Sequence, residues 1–226
     1  MGGTYDVWWQ QIMESEKDYK VISYTLPEKI NTLKKTSEGI LKILKKEGVD
    51  KFYMVGSSMG GYIAQYLVKT IPNRIEKVVF GNTFPPNSLI EQENITKSKI
   101  IPLLPEILFK KLGEKQVNSK IISAAKNSVL LKRFLLSLPS NKKQFINRYA
   151  IVIEKFTATP EKKEIKRISK LIIESDNDPL VQPALRNNLK ELYVDVKVYT
   201  FHNEGHFSYI NVAEEYKMVL QTFFDQ

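Results

Sequence analysis

Apolar and polar positions change period repeatedly along the chain. Over the first 81 residues, the pattern predicts helix at 7–17, strand at 19–25, helix at 28–47, strand at 51–56, helix at 59–70 and strand at 76–81. The helix at 28–47 has the clearest apolar face, formed by Ile30, Leu33, Ile40, Leu41 and Leu44. Alternation of strand and helix predicts an α/β fold with a mostly parallel sheet flanked by helices.

From about Pro85 to Pro160 the alternation stops and the pattern is helical throughout. Alternation then resumes with apolar strands at 171–174 and 194–201 and a last helix at about 211–224. We therefore expect a core domain made of residues 1–84 and 161–226, with 85–160 inserted between its strands. Ligands of parallel sheets bind beyond the carboxyl ends of the strands, so candidate chemistry is sought there.

One candidate is the pentapeptide Gly56-Ser57-Ser58-Met59-Gly60, which joins a predicted strand to a predicted helix. G-x-S-x-G in this context is typical of a nucleophilic serine at the apex of a sharp turn. Glycines tolerate the crowding of such a turn because they have no Cβ. The alternative is a tight strand-to-helix turn that packs against a neighbouring helix and has no chemical role.

The chain resembles the α/β-hydrolase superfamily and, more narrowly, its maspardin-type branch. The similar stretches are 3–12, 19–27, 52–67 and 78–84, with a weaker match in the insertion and clear matches near 178 and 206. This resemblance implies an α/β-hydrolase fold in which residues 85–160 form a helical lid over the active site. The alternative for this segment is ordinary helical packing onto the sheet. It also implies a catalytic triad in the order serine, acid, histidine. Some maspardin-like proteins are regarded as binding proteins with incomplete triads.

The resemblance assigns the triad histidine to His206, in the glycine-containing loop after the last strand. His202, the only other histidine, ends that strand and is better explained as a surface residue. The acid is expected after the preceding strand, where Asp176 and Asp178 compete. Asp178 fits the family's pattern better, whereas Asp176 fits a turn residue that bonds local backbone.

These residue types imply a mechanism. A serine hydroxyl needs a base to accept its proton, and His206 would serve Ser58 in that role. Asp178 would hold the imidazole in the useful tautomer. The Met59 N–H would be one donor of the oxyanion hole.

The N-terminus departs from the family pattern, because such proteins begin with further strands and an oxyanion loop. By the match at Gly3-Thr4, this sequence begins inside that loop, and Gly2 is the nearest candidate for the second oxyanion donor. The sheet is therefore expected to be shortened at its N-terminal side. We expect either a re-paired sheet or an open gap, which a partner chain or a second copy could complete.

Composition narrows the class of protein. Its 226 residues are 42% hydrophobic and include no cysteine, which fits one globular domain without disulfides or thiolate chemistry. No apolar run reaches the length of a membrane span, and no signal pattern is present, so a cytoplasmic location is expected. Two histidines without ligand spacing argue against zinc, and no cofactor is expected.

The net charge is +9, yet lysines occur throughout the chain, and their densest runs alternate with apolar residues at helical spacing. Solvated helix faces explain this better than nucleic-acid binding, and no nucleic-acid motif is present. The sequence thus predicts a serine hydrolase, carboxylesterase-like, acting on a small and apolar ester or related acyl bond. The alternative is a weakly active or non-catalytic maspardin-like interaction protein.

Overall fold

The computed structural model describes residues 4–126, 128–138 and 141–226. The strands are β1 (Phe52–Ser57), β2 (Ile75–Gly81), β3 (Ser169–Ser175) and β4 (Lys197–Phe201). The helices of the core are α1 (Trp9–Ser15), α2 (Leu33–Lys46) and α3 (Met59–Thr70), followed after the insertion by α8 (Lys163–Lys166), α9 (Pro183–Leu192), α10 (Ser208–Asn211) and α11 (Ala213–Phe224). Short 3₁₀ turns occupy Tyr5–Trp8, Pro72–Arg74 and Gly205–Phe207.

The four strands form one parallel sheet in the order β1-β2-β3-β4. Helices lie between successive strands, as parallel connections require. The predicted α/β class, with a mostly parallel sheet flanked by helices, is confirmed. The register aligns the ends of β1, β2 and β3, with Ser57 opposite Gly81 and Gly81 opposite Ile173.

Two apolar layers cover the two faces of the sheet. Along β2, Val78 and Phe80 belong to the layer that includes α2, α3 and α9, whereas Val79 belongs to the layer that includes α11. This division follows from the alternation of side chains along a strand. The central parts of β2 and β3 are buried, which explains the apolar runs Val78-Val79-Phe80 and Leu171-Ile172-Ile173 within them.

The predicted strand at 19–25 is wrong. These residues have no regular secondary structure, and among the described residues β1 has a strand partner on its β2 side only. The segment is held by side chains instead: Ser23 Oγ donates to the Tyr5 carbonyl, and the Tyr5 N–H donates to Thr25 Oγ1. An apolar pattern forms a strand only where a neighbouring strand satisfies its backbone, and no described residues form one between this segment and β1. Of the two expectations for this edge, a re-paired sheet or an open gap, the described residues show the gap.

Helix α2 is shorter than predicted because its N-cap lies at Thr32, whose side chain accepts the Lys35 N–H at 3.2 Å.

The segment between β2 and β3 is helical, as predicted. It contains α4 (Gln92–Ile100), a 3₁₀ turn (Ile101–Leu103), α5 (Glu106–Gln116), a π-helix (Val117–Ile122), α6 (Val129–Ser137) and α7 (Lys142–Val152). We call these the inserted helices. Across the described parts of the chain, no helix combines the length and apolar character that a membrane span requires.

The turn from β1 into α3 brings two stretches of backbone into close contact. A Cβ on Gly56 would lie 2.4 Å from the Gly60 carbonyl oxygen and 2.9 Å from the Gly61 nitrogen. A Cβ on Gly61 would lie 2.6 Å from Cβ of Thr83. Only glycine at position 56 allows α3 to cross β1 at this distance, because the obstructing atoms are backbone and cannot rotate away.

We expect Gly56→Ala to lower the free energy of unfolding by about 2 kcal/mol or more, through this backbone clash. Gly39→Ala is the matched control: Gly39 lies inside α2, and a Cβ there meets nothing within 4 Å. It should stabilise the protein by roughly 0.5–1 kcal/mol, since alanine is the better helix former. Urea unfolding followed by circular dichroism measures both, and equal effects of the two substitutions would contradict the packing argument.

Candidate active site

Ser58 lies at the apex of the turn between β1 and α3, with φ 54° and ψ −120°. A positive φ is strained for a residue with a side chain, and such strain is typical of functional sites. The backbone around it is held on both sides: the Ser58 N–H donates to the Gly81 carbonyl at 2.9 Å, and Thr83 Oγ1 donates to the Ser58 carbonyl at 2.7 Å. The strained backbone conformation therefore falls on Ser58, the serine of the G-x-S-x-G motif.

Met59 is the first residue of α3, directly after Ser58. Its N–H belongs to the first turn, where backbone donors have no partner within the helix and the helix dipole favours negative charge. It lines the same cavity as Ser58. The other predicted oxyanion donor, Gly2, lies outside the described residues.

Asp178 and His206 are in direct contact. His206 Nδ1 lies 2.8 Å from Asp178 Oδ2, and both residues are buried. Asp178 follows β3 and His206 follows β4, so the parallel sheet brings them together from 28 residues apart. With a carboxylate at Nδ1, the imidazole carries its proton there and presents Nε2 as the free base. Ser58 and His206 line one cavity.

The carboxylate of Asp178 accepts four hydrogen bonds. Oδ1 accepts the N–H groups of Leu180 at 2.8 Å and Val181 at 3.1 Å, and Oδ2 accepts from His206 and from Asn82 Nδ2 at 3.0 Å. Burial disfavours the charged carboxylate, but the charge and hydrogen bond of His206, with those of Asn82 and Leu180, outweigh it. The pKa of Asp178 therefore lies below its ordinary value.

Asp176 and His202 form a second pair on the surface. Asp176 Oδ2 lies 2.8 Å from His202 Nδ1, and Asp176 Oδ1 accepts the Asn203 N–H at 2.9 Å. The Asn203 N–H and then the His202 side chain hold the pKa of Asp176 below its ordinary value. His202 is exposed and does not line the cavity of Ser58. The Asp176–His202 pair therefore holds the turn after β3 against the end of β4. The assignment of the triad acid to Asp178 remains a prediction, which the contact between Asp178 and His206 favours.

Asn82 is a site residue that the sequence did not reveal. It follows β2 with φ 39°, is buried, and donates from Nδ2 to Asp178 Oδ2 and to the Gly205 carbonyl at 3.3 Å. Its Oδ1 accepts from Ser208 Oγ at 3.2 Å, which fixes the orientation of the amide. The sequence shows a polar residue at the end of a buried strand. Because asparagine is uncharged, nothing in the sequence indicates that it bonds the carboxylate of Asp178.

Asn177 is a second residue that the sequence did not reveal. Its Oδ1 accepts the Gly205 N–H at 2.9 Å, and its Nδ2 donates to the Ala124 carbonyl at 2.7 Å. Close by, Lys126 pairs with Glu204. The loop that carries Asp178, the loop that carries His206 and the end of the π-helix region are therefore joined by one side chain.

A cavity of about 1720 Å³ opens above Ser58. On one side its walls are the inserted helices, with the apolar lining residues Leu104, Val117, Ile121, Phe134, Leu135 and Tyr149. The cavity continues along the outer edge of β1 to residues 19–24, where no strand of the described ranges lies next to β1. The part nearest Ser58 is thus a mainly apolar pocket with a few polar groups at its base, as small-molecule sites usually are.

A strained serine after β1, which lines one cavity with a histidine that is paired to a buried carboxylate, points to the class of α/β-hydrolase-fold proteins. The chain belongs to this family: its model, described as the alpha/beta hydrolase fold, matches residues 1–212.

Within the family, the chain is similar to maspardins. It is 24% identical to maspardin of Danio rerio over 229 residues, which covers 98% of this chain and 70% of the relative. It is 23% identical to the mouse (Mus musculus) sn-1-specific diacylglycerol lipase ABHD11, covering 83% of this chain and 63% of that protein. Among solved structures, a hydrolase from Pseudomonas aeruginosa PA01 matches with a TM-score of 0.81 and 18% identity, covering 100% of this chain and 87% of that one.

The position of Asn82 yields a prediction that does not depend on catalysis. In Asn82→Asp, a second carboxylate would face Asp178 Oδ2, and two carboxylates this close retain a proton that the unfolded chain releases near pH 4. Because the folded-state pKa is raised, stability is retained below pH 4 and lost as pH rises. Relative to the unsubstituted chain, Asn82→Asp should be about 1–3 kcal/mol less stable at pH 8 than at pH 5.

Urea unfolding at the two pH values measures this difference. Asn82→Ala is the matched control, since it removes the same hydrogen bonds without adding a charge and should show a much flatter pH dependence. A flat profile for Asn82→Asp would mean that residue 82 does not face the acid in solution.

Proposed function

We propose that the chain is a serine hydrolase that cleaves an apolar ester or related acyl bond, of the carboxylesterase type. The observation that carries this proposal is His206, which is paired with the buried Asp178 and lines one cavity with the strained Ser58. Each group has the environment that its role requires: the acid is ionised, the base is oriented, and the hydroxyl lies at a helix N-terminus.

In the proposed reaction, Ser58 Oγ attacks the carbonyl carbon while His206 Nε2 takes the hydroxyl proton. The charge that develops on the carbonyl oxygen is stabilised by the Met59 N–H. His206 then returns the proton to the leaving alcohol, and a water molecule, activated by the same imidazole, releases the acyl group. Asp178 stabilises the imidazolium that forms in both halves. Ser58 Oγ makes no hydrogen bond to the rest of the described chain, and such contacts often tighten only with substrate bound.

The pocket supports an apolar acyl or alcohol group, because leucine, isoleucine and phenylalanine side chains from the inserted helices line it. One relative, mouse ABHD11, is named as an sn-1-specific diacylglycerol lipase, which is consistent with an apolar substrate for this chain. We propose that residues 85–160 act as a lid over this pocket and that the protein works in the cytoplasm. The substrate is a small molecule in this proposal, and no cofactor takes part.

The test is labelling with a fluorophosphonate probe, measured as the mass of the intact chain, beside hydrolysis of p-nitrophenyl esters. We expect one adduct on the unsubstituted chain and none on Ser58→Ala. Asp178→Asn should lower kcat by about 10⁴-fold, since it leaves the imidazole in the wrong tautomer. Asp176→Asn is the matched control, because this second aspartate also bonds a histidine, and it should keep kcat within about threefold.

Circular dichroism confirms that each variant is folded before its activity is compared. An adduct that persists in Ser58→Ala, or equal losses from Asp176→Asn and Asp178→Asn, would refute the proposed site. No adduct on a folded chain would favour the second candidate function.

That second candidate is a maspardin-like interaction protein with little or no catalysis. The observation in its favour is the outer edge of β1, which faces the cavity without a strand partner among the described residues. Such an edge can pair with a strand from a partner chain or a second copy. A partner that binds Ser58→Ala as tightly as the unsubstituted chain, together with absent labelling, would support this function.

A further inference from the structure

The inserted helices expose an unusual number of aliphatic side chains. The aliphatic surface comprises Ile100, Leu103, Ile107, Leu108, Leu112, Val129, Leu130 and Leu136, each between 43% and 82% exposed. Leu112 and Leu136 also line the cavity that contains Ser58, so this surface adjoins the cavity. Exposed apolar residues in such number mark an interaction site rather than an ordinary solvated surface.

The same segment carries nearly all of the net charge. Residues 85–160 contain thirteen lysines and arginines but five acidic residues, an excess of eight out of the chain's +9, whereas the rest of the chain is nearly neutral. Two of these lysines pair with a glutamate one turn away, Lys97 with Glu93 and Lys110 with Glu106. The excess of basic over acidic residues is therefore concentrated in residues 85–160, although lysines occur throughout the sequence.

Basic and aliphatic residues alternate along the same helices. In α5, Lys110, Lys111 and Lys115 lie among Ile107, Leu108 and Leu112. In α6, Lys132 and Arg133 lie between Leu130 and Leu136. All of these side chains are exposed, whereas Leu131, which lies between Leu130 and Lys132 in α6, is buried.

This combination favours one class of partner. Protein interfaces are enriched in aromatic residues and depleted of lysine, which is the opposite of this surface. Nucleic-acid interfaces are polar and basic, so they leave eight exposed aliphatic side chains unexplained. An anionic bilayer satisfies both features: aliphatic side chains enter the boundary between headgroups and acyl chains, while lysines extend their charged ends to the headgroups.

We propose that the aliphatic surface docks the protein on anionic lipid bilayers. The mouth of the pocket would then face the bilayer, and an amphiphilic molecule could enter the cavity without crossing water. Docking requires no catalysis, so this proposal goes beyond the proposed function and can hold or fail independently of it.

The test is co-sedimentation of the full chain with vesicles of phosphatidylcholine alone or with 30% phosphatidylserine. We expect binding that depends on phosphatidylserine and weakens in 0.5 M salt, because salt screens exposed charges. Ser58→Ala should bind equally well. No phosphatidylserine-dependent binding by the folded chain would overturn the proposal.

Two pairs of variants locate the surface. Ile107→Ser with Val129→Ser should lower the partition coefficient at least tenfold, since both side chains are removed from the bilayer. Val194→Ser with Met218→Ser is the matched control, because these residues are as exposed but lie outside the inserted helices. Lys111→Glu with Lys115→Glu should also lower binding at least tenfold, whereas Lys34→Glu with Lys35→Glu, the same charge change on α2, should have a much smaller effect.

Equal losses from a surface pair and its control would overturn the proposal, because charge or hydrophobicity alone would then explain binding. A dimer that Ile107→Ser with Val129→Ser converts to a monomer, without vesicle binding, would assign the surface to a second copy instead. Hydrolysis of a short water-soluble ester separates this test from that of the proposed function. Neither Ile107 nor Val129 lines the cavity, so activity towards this ester should be unchanged in the variant that has lost vesicle binding.

Discussion

The buried carboxylate of Asp178 is the point at which three loops meet, each following a different strand of the sheet. It accepts from Asn82 after β2, from His206 after β4, and from the backbone of its own loop after β3. An unsatisfied charge at this depth would be costly, so the four hydrogen bonds are needed for the chain to fold with this carboxylate ionised. The alignment of the parallel strand ends makes this meeting possible.

The end of β2 also connects this carboxylate to Ser58. The Gly81 carbonyl holds the Ser58 N–H, and the next residue, Asn82, holds the acid. One short stretch at the end of β2 therefore positions both the strained turn and the carboxylate–histidine pair. The tight crossing of β1 by α3, which Gly56 permits, completes the geometry from the other side.

The local sequence pattern was sufficient to predict the strands that are buried on both faces of the sheet. Burial requires the centre of such a strand to be apolar, whichever elements pack against it. It failed at residues 19–25, where strand formation depends on a neighbour that no local pattern can supply. The pair of Asp178 and His206 was anticipated from the family resemblance, and the meeting of parallel strands at their carboxyl ends explains why the fold can bring the two together. Asn82 and Asn177 could not be anticipated, because an amide acquires a role only from the groups that the fold places around it.

The contact between the inserted helices and the histidine loop has a kinetic consequence. Asn177 bonds both the Gly205 N–H and the Ala124 carbonyl, and Gly205 packs so closely on Ala124 that a Cβ would lie 3.4 Å from its carbonyl carbon. If the inserted helices act as the lid that we propose, lifting this part of them would break a hydrogen bond to Asn177, which also holds the histidine loop. In the proposed function, admission of a molecule and alignment of His206 would then be linked events, and the open pocket and the aligned imidazole would belong to different moments of one cycle.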